Sequence, residues 1–146
     1  MRSGGNAWSI AAGVDAHRFS GIFRSLLESA DFFVYEVDGT VVGFCKATRL
    51  PGRSSHVVQL GPLAVSPQFH GSGYAAAMLQ DVLTRLEQSG VLRFELQVEA
   101  DNPRGLAFYR KLGFEREGVQ RGAYKRAAES TYVDEVMMVK FASPLA

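Results

Sequence analysis

The sequence predicts a mixed α/β fold, with a mostly antiparallel central sheet and helices on both of its faces. Two strands near the beginning and two successive strands at the end, residues 118–126 and 131–141, favour antiparallel neighbours. A strand–helix–strand unit between them favours one parallel crossover. The 146 residues are 47% hydrophobic and 21% charged, which is typical of an ordinary globular domain and not of a disordered chain.

The first half of the chain predicts one helix between strands. Ala7 to Ile10 allows only a very short first strand, and residues 15–29 have the apolar spacing of an amphipathic helix. Phe32 to Val37 and Thr40 to Ala47 are rich in β-branched and aromatic residues, which favour strands. Asp38-Gly39 between these two strands predicts a tight hairpin turn.

A further strand, His56 to Val65, is interrupted by Gly61-Pro62. Proline has no N–H to donate to a sheet ladder, so it belongs at a sheet edge or at a bulge. We therefore expect a splayed central strand pair, in which this strand separates from one neighbour partway along its length.

The second half predicts two helices and a strand before the final strand pair. Residues 74–88 have an apolar face at helical spacing, and Leu92 to Val98 follows as a strand. Asn102 is the expected N-cap of the second helix, because Pro103 then occupies the first helical position, where its missing N–H is harmless. Gly113 is expected to end this helix.

Charge and cysteine content exclude several classes of protein. A net charge of +1 does not favour a nucleic-acid partner, and the single Cys45, in an apolar run, favours a buried inert thiol over a nucleophile or a disulfide. No apolar run approaches the roughly 18 residues that a membrane span requires. The N-terminal residues lack the apolar core of a signal peptide, so we expect a cytoplasmic protein with no membrane partner.

A glycine-rich turn precedes the helix at residues 74–88. Gly71 and Gly73 allow a sharp bend that points successive N–H groups into one space, and the helix adds its unpaired N-terminal donors. These features predict a phosphate site; a turn that merely links strand to helix is the alternative. The segment lacks the Gly-Lys-Ser/Thr of a nucleotide P-loop and the third glycine of the dinucleotide fingerprint.

Two motifs, in this order, resemble signatures of the GCN5-related N-acetyltransferase (GNAT) superfamily. Gln68, Gly71 and Gly73 match its Q/R-x-x-G-x-G/A pattern, and Leu63-Ala64-Val65 resembles its fourth strand. The resemblance covers roughly residues 31–141 and looks most like bacterial members that acetylate small amines or amino acids. The residues similar to the second signature are Asn102, Ala107, Tyr109, Leu112, Gly113 and Phe114.

The resemblance implies an N-acetyltransferase that uses acetyl-CoA as cosubstrate and needs no metal. In this family, amides of the glycine turn hold the pyrophosphate of coenzyme A, and pantetheine lies between splayed fourth and fifth strands. By that resemblance, the cofactor-binding residues are Leu63, Ala64, Val65, Gln68, His70, Gly71, Ser72, Gly73, Tyr74, Ala75, Asn102 and Tyr109.

Tyr109 is the expected catalytic residue, because a tyrosine at this position in many family members protonates the departing thiolate. It lies seven residues after Asn102, close to two helical turns, so both residues share one helix face. A core aromatic beside Phe108 is the alternative. Asn102 is an N-cap first, although in the family this asparagine often also contacts the cofactor arm.

The resemblance implies direct attack by a primary amine of a small molecule, such as an amino acid or a related amine, without an acyl-enzyme. A protein N-terminal or lysine acetyltransferase and a non-catalytic acyl-CoA-binding regulatory domain are the alternatives. Histone-acetylating members have a glutamate base at the position of Gln59, and an amide cannot accept that proton usefully. The remaining candidates for the base are His56, Glu95 and Glu99.

The resemblance also implies one N-acetyltransferase domain over residues 1–146, with an abbreviated N-terminal region, since the family usually has two helices after its first strand. Exposed strand edges leave a homodimer open. Several basic residues could meet a carboxylate on an amino-acid acceptor or form a solvated strand face. They are Arg116, Arg121, Lys125 and Arg126.

Overall fold

The computed structural model describes residues 6–10 and 31–142. They form seven strands: β1 (Asn6–Ile10), β2 (Asp31–Val37), β3 (Thr40–Arg49), β4 (Val57–Val65), β5 (Arg93–Glu99), β6 (Glu115–Lys125) and β7 (Tyr132–Phe141). They also form two α-helices, α1 (Tyr74–Gln88) and α2 (Pro103–Lys111). The strands make one sheet in the order β1-β2-β3-β4-β5-β7-β6. The helix expected over residues 15–29 lies outside the described residues.

The pairing confirms the mixed, mostly antiparallel sheet. β4 and β5 pair in parallel, and every other neighbouring pair of strands is antiparallel. This is the single crossover that the central strand–helix–strand unit predicts.

β4 and β5 part after only three residue pairs, from Val57 opposite Arg93 to Gln59 opposite Glu95. On its other side, β4 stays paired with β3 as far as Val65. The β3–β4 register shifts where Gly61-Pro62 lies, since Leu60 is opposite Ala47 and Leu63 is opposite Cys45. The splayed strand pair predicted from the proline is therefore confirmed.

Both described helices contribute to one apolar core on the same face of the sheet. α1 buries an apolar stripe at helical spacing, and α2 adds partly buried side chains at the edge of the core. The α1 stripe consists of Met78, Leu79, Val82, Leu83 and Leu86. The same core cluster includes residues of β5 and β7, namely Phe94, Leu96, Val98, Val136 and Met138.

The opposite face of the central strands is more polar. Side chains alternate along a strand, so the residues between the core positions point away from the helices. On β4, β5 and β7 these residues are Gln59, Glu95, Gln97, Glu135 and Met137.

Most element boundaries agree with the sequence expectations, including the Asp38-Gly39 turn and the bounds of α1. β6 differs, because it begins at Glu115, three residues before the expected start. Register shifts at Arg116/Gly118 and at Gln120/Tyr124 break its alternation and obscure the strand pattern. Neither described helix is long and apolar enough to cross a bilayer.

Gly43 on β3 permits a close approach of β4, and its replacement predicts a loss of stability. A Cβ at this position would lie 2.7 Å from the Ala64 carbonyl oxygen and 3.2 Å from the Met78 sulfur. We expect Gly43→Ala to lower the free energy of unfolding by about 1–3 kcal/mol, since backbone and core must shift. Urea unfolding followed by circular dichroism measures this change.

Gly118→Ala on β6 is the matched control, because its Cβ would meet nothing within 4 Å. We expect this control to stay within about 0.5 kcal/mol of the parent chain. Equal unfolding midpoints for the two variants would contradict the close contact at Gly43.

Candidate functional site

A cleft of about 410 Å³ lies on the helix side of the sheet, where β4 and β5 have parted. We call it the helix-side cleft. It lies between the second half of β4, the turn before α1 and the first two turns of α2. Its lining residues are Leu63, Ala64, Val65, Phe69, His70, Gly71, Gly73, Ala75, Asn102, Arg104, Gly105, Phe108 and Tyr109.

Along the second half of β4, every other residue points its backbone N–H and carbonyl groups toward the gap between the strands. The Ser66 N–H donates to the Val42 carbonyl at 2.8 Å, so this residue faces β3. Since backbone groups alternate sides along an antiparallel strand, the amides of Leu63 and Val65 face away from β3. The His70 ring nitrogen donates to the Val65 carbonyl at 2.9 Å, which agrees with that orientation. Unpaired strand amides therefore border the helix-side cleft.

The glycine turn leaves the start of α1 open. Gly71 and Gly73 adopt φ values of +79° and +84°, which other residues rarely adopt. Gly73 is the N-cap and provides no side-chain cap, and the first turn of α1 contains no acidic residue. The first donor that returns to this N-cap is the N–H of Ala77, and the Tyr74 N–H makes a long contact of 3.4 Å with the Ser72 hydroxyl. The amides of Ala75 and Ala76 are therefore available to an anion.

Asn102 caps α2 as the sequence predicts. Its side-chain oxygen accepts from the Gly105 N–H at 2.9 Å, with Pro103 at the first helical position. The same residue lines the helix-side cleft, so the cap and the cleft share one side chain.

Tyr109 lines the same cleft, and aromatic rings surround it. Its ring lies edge-on to Phe108 and Phe114, at centroid distances of 5.1 and 5.9 Å. Burial raises the pKa of the Tyr109 phenol to about 12, with a smaller contribution from the nearby Cys45. Cys45 is itself fully buried, and burial raises its pKa to about 12 as well, which supports the inert-thiol interpretation. The phenol therefore stays protonated across neutral pH.

Three of the twelve expected cofactor residues do not line the cleft. The Tyr74 ring packs against Tyr35 and Phe69, the Ser72 hydroxyl donates to the Phe69 carbonyl, and Gln68 is exposed. The glycine-turn residues are expected to hold the pyrophosphate through their backbone amides. The positions of these side chains therefore do not test that prediction.

The structure also adds residues that the motifs did not indicate. Arg104 places a cation at the start of α2, and Phe69, Gly105 and Phe108 complete the cleft wall. The signal for Arg104 was its position two residues after the N-cap Asn102.

A second cleft, of about 350 Å³, lies on the opposite face of the sheet at the same gap. We call it the glutamate cleft. It reaches β4 at Gly61, two residues before Leu63, where the helix-side cleft begins. Its lining residues are Thr48, Gln59, Leu60, Gly61, Glu95, Leu96, Gln97, Glu135 and Met137.

Hydrogen bonds engage one of the two carboxylates in the glutamate cleft. Gln59 donates to one oxygen of Glu95 at 2.9 Å, and Arg93 donates to the other at 3.1 Å. The same Arg93 forms a bidentate pair with Glu117. Within residues 32–142, the side chain of Glu135 makes no hydrogen bond or ion pair.

Of the three candidate bases, Glu95 alone lines a cleft. Glu99 instead contacts Tyr124 and Arg126, which lower the pKa of its carboxyl. That shift makes Glu99 a weaker base. His56 lies one residue before β4, and its carbonyl accepts from the amides of Leu92 and Arg93.

The basic residues of β6 and the following loop do not line either cleft. Arg126 forms ion pairs with Glu99, Asp101 and Glu129, which tie this loop to the end of β5. Arg116, Arg121 and Lys125 are exposed. Their positions match the solvated-face alternative.

The parted strands, with a glycine turn at the start of a helix beside them, define the class of coenzyme-A-dependent acyltransferases. The model of the acetyltransferase (GNAT) family matches residues 7–114. The chain belongs to the GNAT family and is an acetyl-CoA-dependent N-acetyltransferase.

Similar proteins agree with this assignment. An uncharacterized N-acetyltransferase of Mycobacterium tuberculosis is 33% identical over 126 residues, which cover 85% of this chain and 79% of the relative. A mycothiol acetyltransferase of Brachybacterium faecium is 37% identical over 70% of this chain and 30% of its own length. The crystal structure of the Escherichia coli ribosomal-protein-S18-alanine N-acetyltransferase has a TM-score of 0.80 at 23% identity, covering 97% of this chain and 96% of that chain. That likeness concerns the fold.

Proposed function

We propose that this enzyme transfers the acetyl group of acetyl-CoA to a primary amine of a small molecule by direct attack. The observation that carries the proposal is the pair of clefts on opposite faces of one strand gap, which border β4 at Gly61 and Leu63. A thioester entering from the helix side can meet an amine entering from the other side.

In this proposal the cofactor occupies the helix-side cleft. The amides at the glycine turn and the start of α1 hold the diphosphate, and the outward amides of Leu63 and Val65 pair with pantetheine. Arg104 adds a positive charge on the α2 side. The absence of acidic residues from the first turn of α1 favours an anion there.

The reaction begins with an amine that has lost a proton. An alkylamine with a pKa near 10 is neutral in about one molecule per thousand at pH 7. Its nitrogen attacks the thioester carbonyl, the C–N bond forms and the C–S bond breaks. A β4 amide near Val65 donates to the oxygen as negative charge develops. Holding both reactants in this geometry contributes several kcal/mol.

Tyr109 donates its proton to the departing thiolate, and the proton that leaves the nitrogen restores the phenol. The high pKa of Tyr109 suits this role, because the donor must be protonated when the C–S bond breaks. Direct attack requires no acyl-enzyme. The Cys45 thiol is poorly suited to carry an acyl group, because it is buried and has a raised pKa.

The similar proteins include enzymes named for small-molecule acceptors and enzymes named for protein acceptors. One is named a mycothiol acetyltransferase, and a structural neighbour is named for a ribosomal-protein alanine. The concave glutamate cleft, of about 350 Å³, favours a small acceptor or one chain end over an extended protein surface.

Thiol release measured against small amines and against peptides tests the acceptor class. We expect turnover with small primary amines and weaker turnover with peptides that carry a free N-terminus or a lysine. Turnover restricted to peptides would overturn the small-molecule proposal. Tight acetyl-CoA binding without any turnover would favour a regulatory domain instead.

Gly73→Glu should weaken coenzyme A binding by about 100-fold or more, because a carboxylate beside the diphosphate costs several kcal/mol. Gly39→Glu in the hairpin turn is the matched control, since Gly39 also has a positive φ, +78°, and equally open space. Calorimetric titration with coenzyme A measures both affinities. Equal affinities would remove the glycine turn from the cofactor site.

Tyr109→Phe should lower kcat by about 100-fold and change KM by less than about threefold, because the hydroxyl acts as the thiolate departs. With a Tyr109 pKa of about 12, loss of its proton should not reduce the wild-type rate below about pH 11. Steady-state kinetics from pH 6 to pH 10 measure both effects. An unchanged kcat in the variant would assign Tyr109 to packing alone.

A further inference from the structure

The glutamate cleft contains two carboxylates with different surroundings. Glu95 gives one oxygen to Gln59 and the other to Arg93, so its charge is largely balanced. Glu135 enters the cleft from β7 and has no such partner among the residues that the structure describes. Among the described residues, the cleft therefore presents one carboxylate without a cationic partner.

The described cations on the strands and loops around this charge are engaged by other carboxylates or lie outside the lining. Arg126 ion-pairs with Glu99, which is directly opposite Glu135 in the β5–β7 register. Arg93 binds Glu95 and Glu117 with its whole guanidinium. Lys46 shares the face of Thr48 on β3, but it does not line the cleft. Across the described part of the chain, no lysine, arginine or histidine lines this cleft.

The remaining lining can satisfy polar and apolar parts of a ligand. The side-chain amide of Gln97 donates to Gln120 on β6, and this hydrogen bond fixes the Gln97 amide. Gln97 lies on β5, close to Glu135 on the paired strand β7. Met137 provides apolar surface from β7. The arrangement fits a cation on a short apolar body.

We propose that Glu135 binds the ammonium group of the acceptor and selects amines that have no carboxylate close to the nitrogen. The inference rests on the proposed function and narrows its substrate class. A free α-amino acid would bring its own carboxylate into a cleft that already holds two and whose described lining provides no cation to receive a third. A simple alkylamine or arylalkylamine avoids that repulsion.

Matched acceptor pairs test the selection. Tyramine against tyrosine, and phenethylamine against phenylalanine, differ only by the carboxylate. We expect kcat/KM for each amine to exceed that of its amino acid by at least about 10-fold. Equal values, or a preference for the amino acids, would overturn the inference.

Glu135→Gln tests the residue, since it keeps the shape and removes the charge. We expect the KM for the amine to rise about 10- to 100-fold, which is the range for loss of a charge-assisted hydrogen bond, with kcat changed less than about threefold. The preference for the amine over the amino acid should shrink. The KM for acetyl-CoA should stay within about twofold, because that cofactor enters from the other face.

Glu115→Gln is the matched control, an exposed β6 glutamate outside both clefts, and its kinetics should equal those of the wild type. Thermal unfolding and acetyl-CoA titration confirm that each variant is folded. Wild-type amine KM values in Glu135→Gln, or a loss confined to Glu95→Gln, would overturn the assignment of Glu135.

Different results refute the small-molecule function and the role of Glu135. Wild-type enzyme that acetylates small amines, with an unaffected Glu135→Gln, refutes the inference and keeps the proposed function. Wild-type enzyme that acetylates only peptides refutes the small-molecule function. The Glu135→Gln variant is then compared with the wild type on a peptide, and an unchanged KM for the peptide refutes the role of Glu135. Wild-type enzyme that acetylates neither refutes both.

Discussion

The early parting of β4 from β5 is the constraint on which both clefts depend. A parallel neighbour that continued past Gln59 would use the amides of Leu63 and Val65 and would close the sheet. Pro62 lacks an N–H and lies in a bulge against β3, so the ladder is already interrupted where the strands separate. The interruption of the β3 ladder thus coincides along β4 with the end of the β5 pairing, and the walls of the opening come from α2, β5 and β7.

The two faces of the sheet then provide two chemical environments. On the helix side, apolar packing around Tyr109 raises the pKa of its phenol and keeps that proton in place. On the other side, alternation exposes glutamine and glutamate side chains on β4, β5 and β7. In the proposed mechanism the proton donor is held in a drier place than the charged acceptor. The phenol is therefore stable in the protonated state that it needs, whereas the acceptor binds as an ammonium and must release one proton to solvent before its nitrogen attacks.

Sequence reasoning was effective where the signal is local. The Asp38-Gly39 turn, the Asn102 cap and the bounds of α1 each follow from a few neighbouring residues, and all are confirmed. The glutamate cleft was not predictable in this way, because it depends on register between strands far apart in the chain. Glu135 approaches β5 only because β7 pairs there with Gln97 opposite Met137. No spacing within either strand indicates that pairing.

Gln59 and Glu95 place an amide and a carboxylate side by side on the two strands that separate. The resemblance placed a glutamate of other family members at this position, and here the amide of Gln59 instead donates to Glu95 on β5. A carboxylate is therefore retained at the start of the strand gap, but Arg93 neutralises it. A second carboxylate is needed if the cleft is to attract a cation, and Glu135 is placed to provide it. Because Arg93 and Gln59 orient Glu95 without engaging Glu135, the proposed selectivity for cationic acceptors depends, among the described lining residues, mainly on β7.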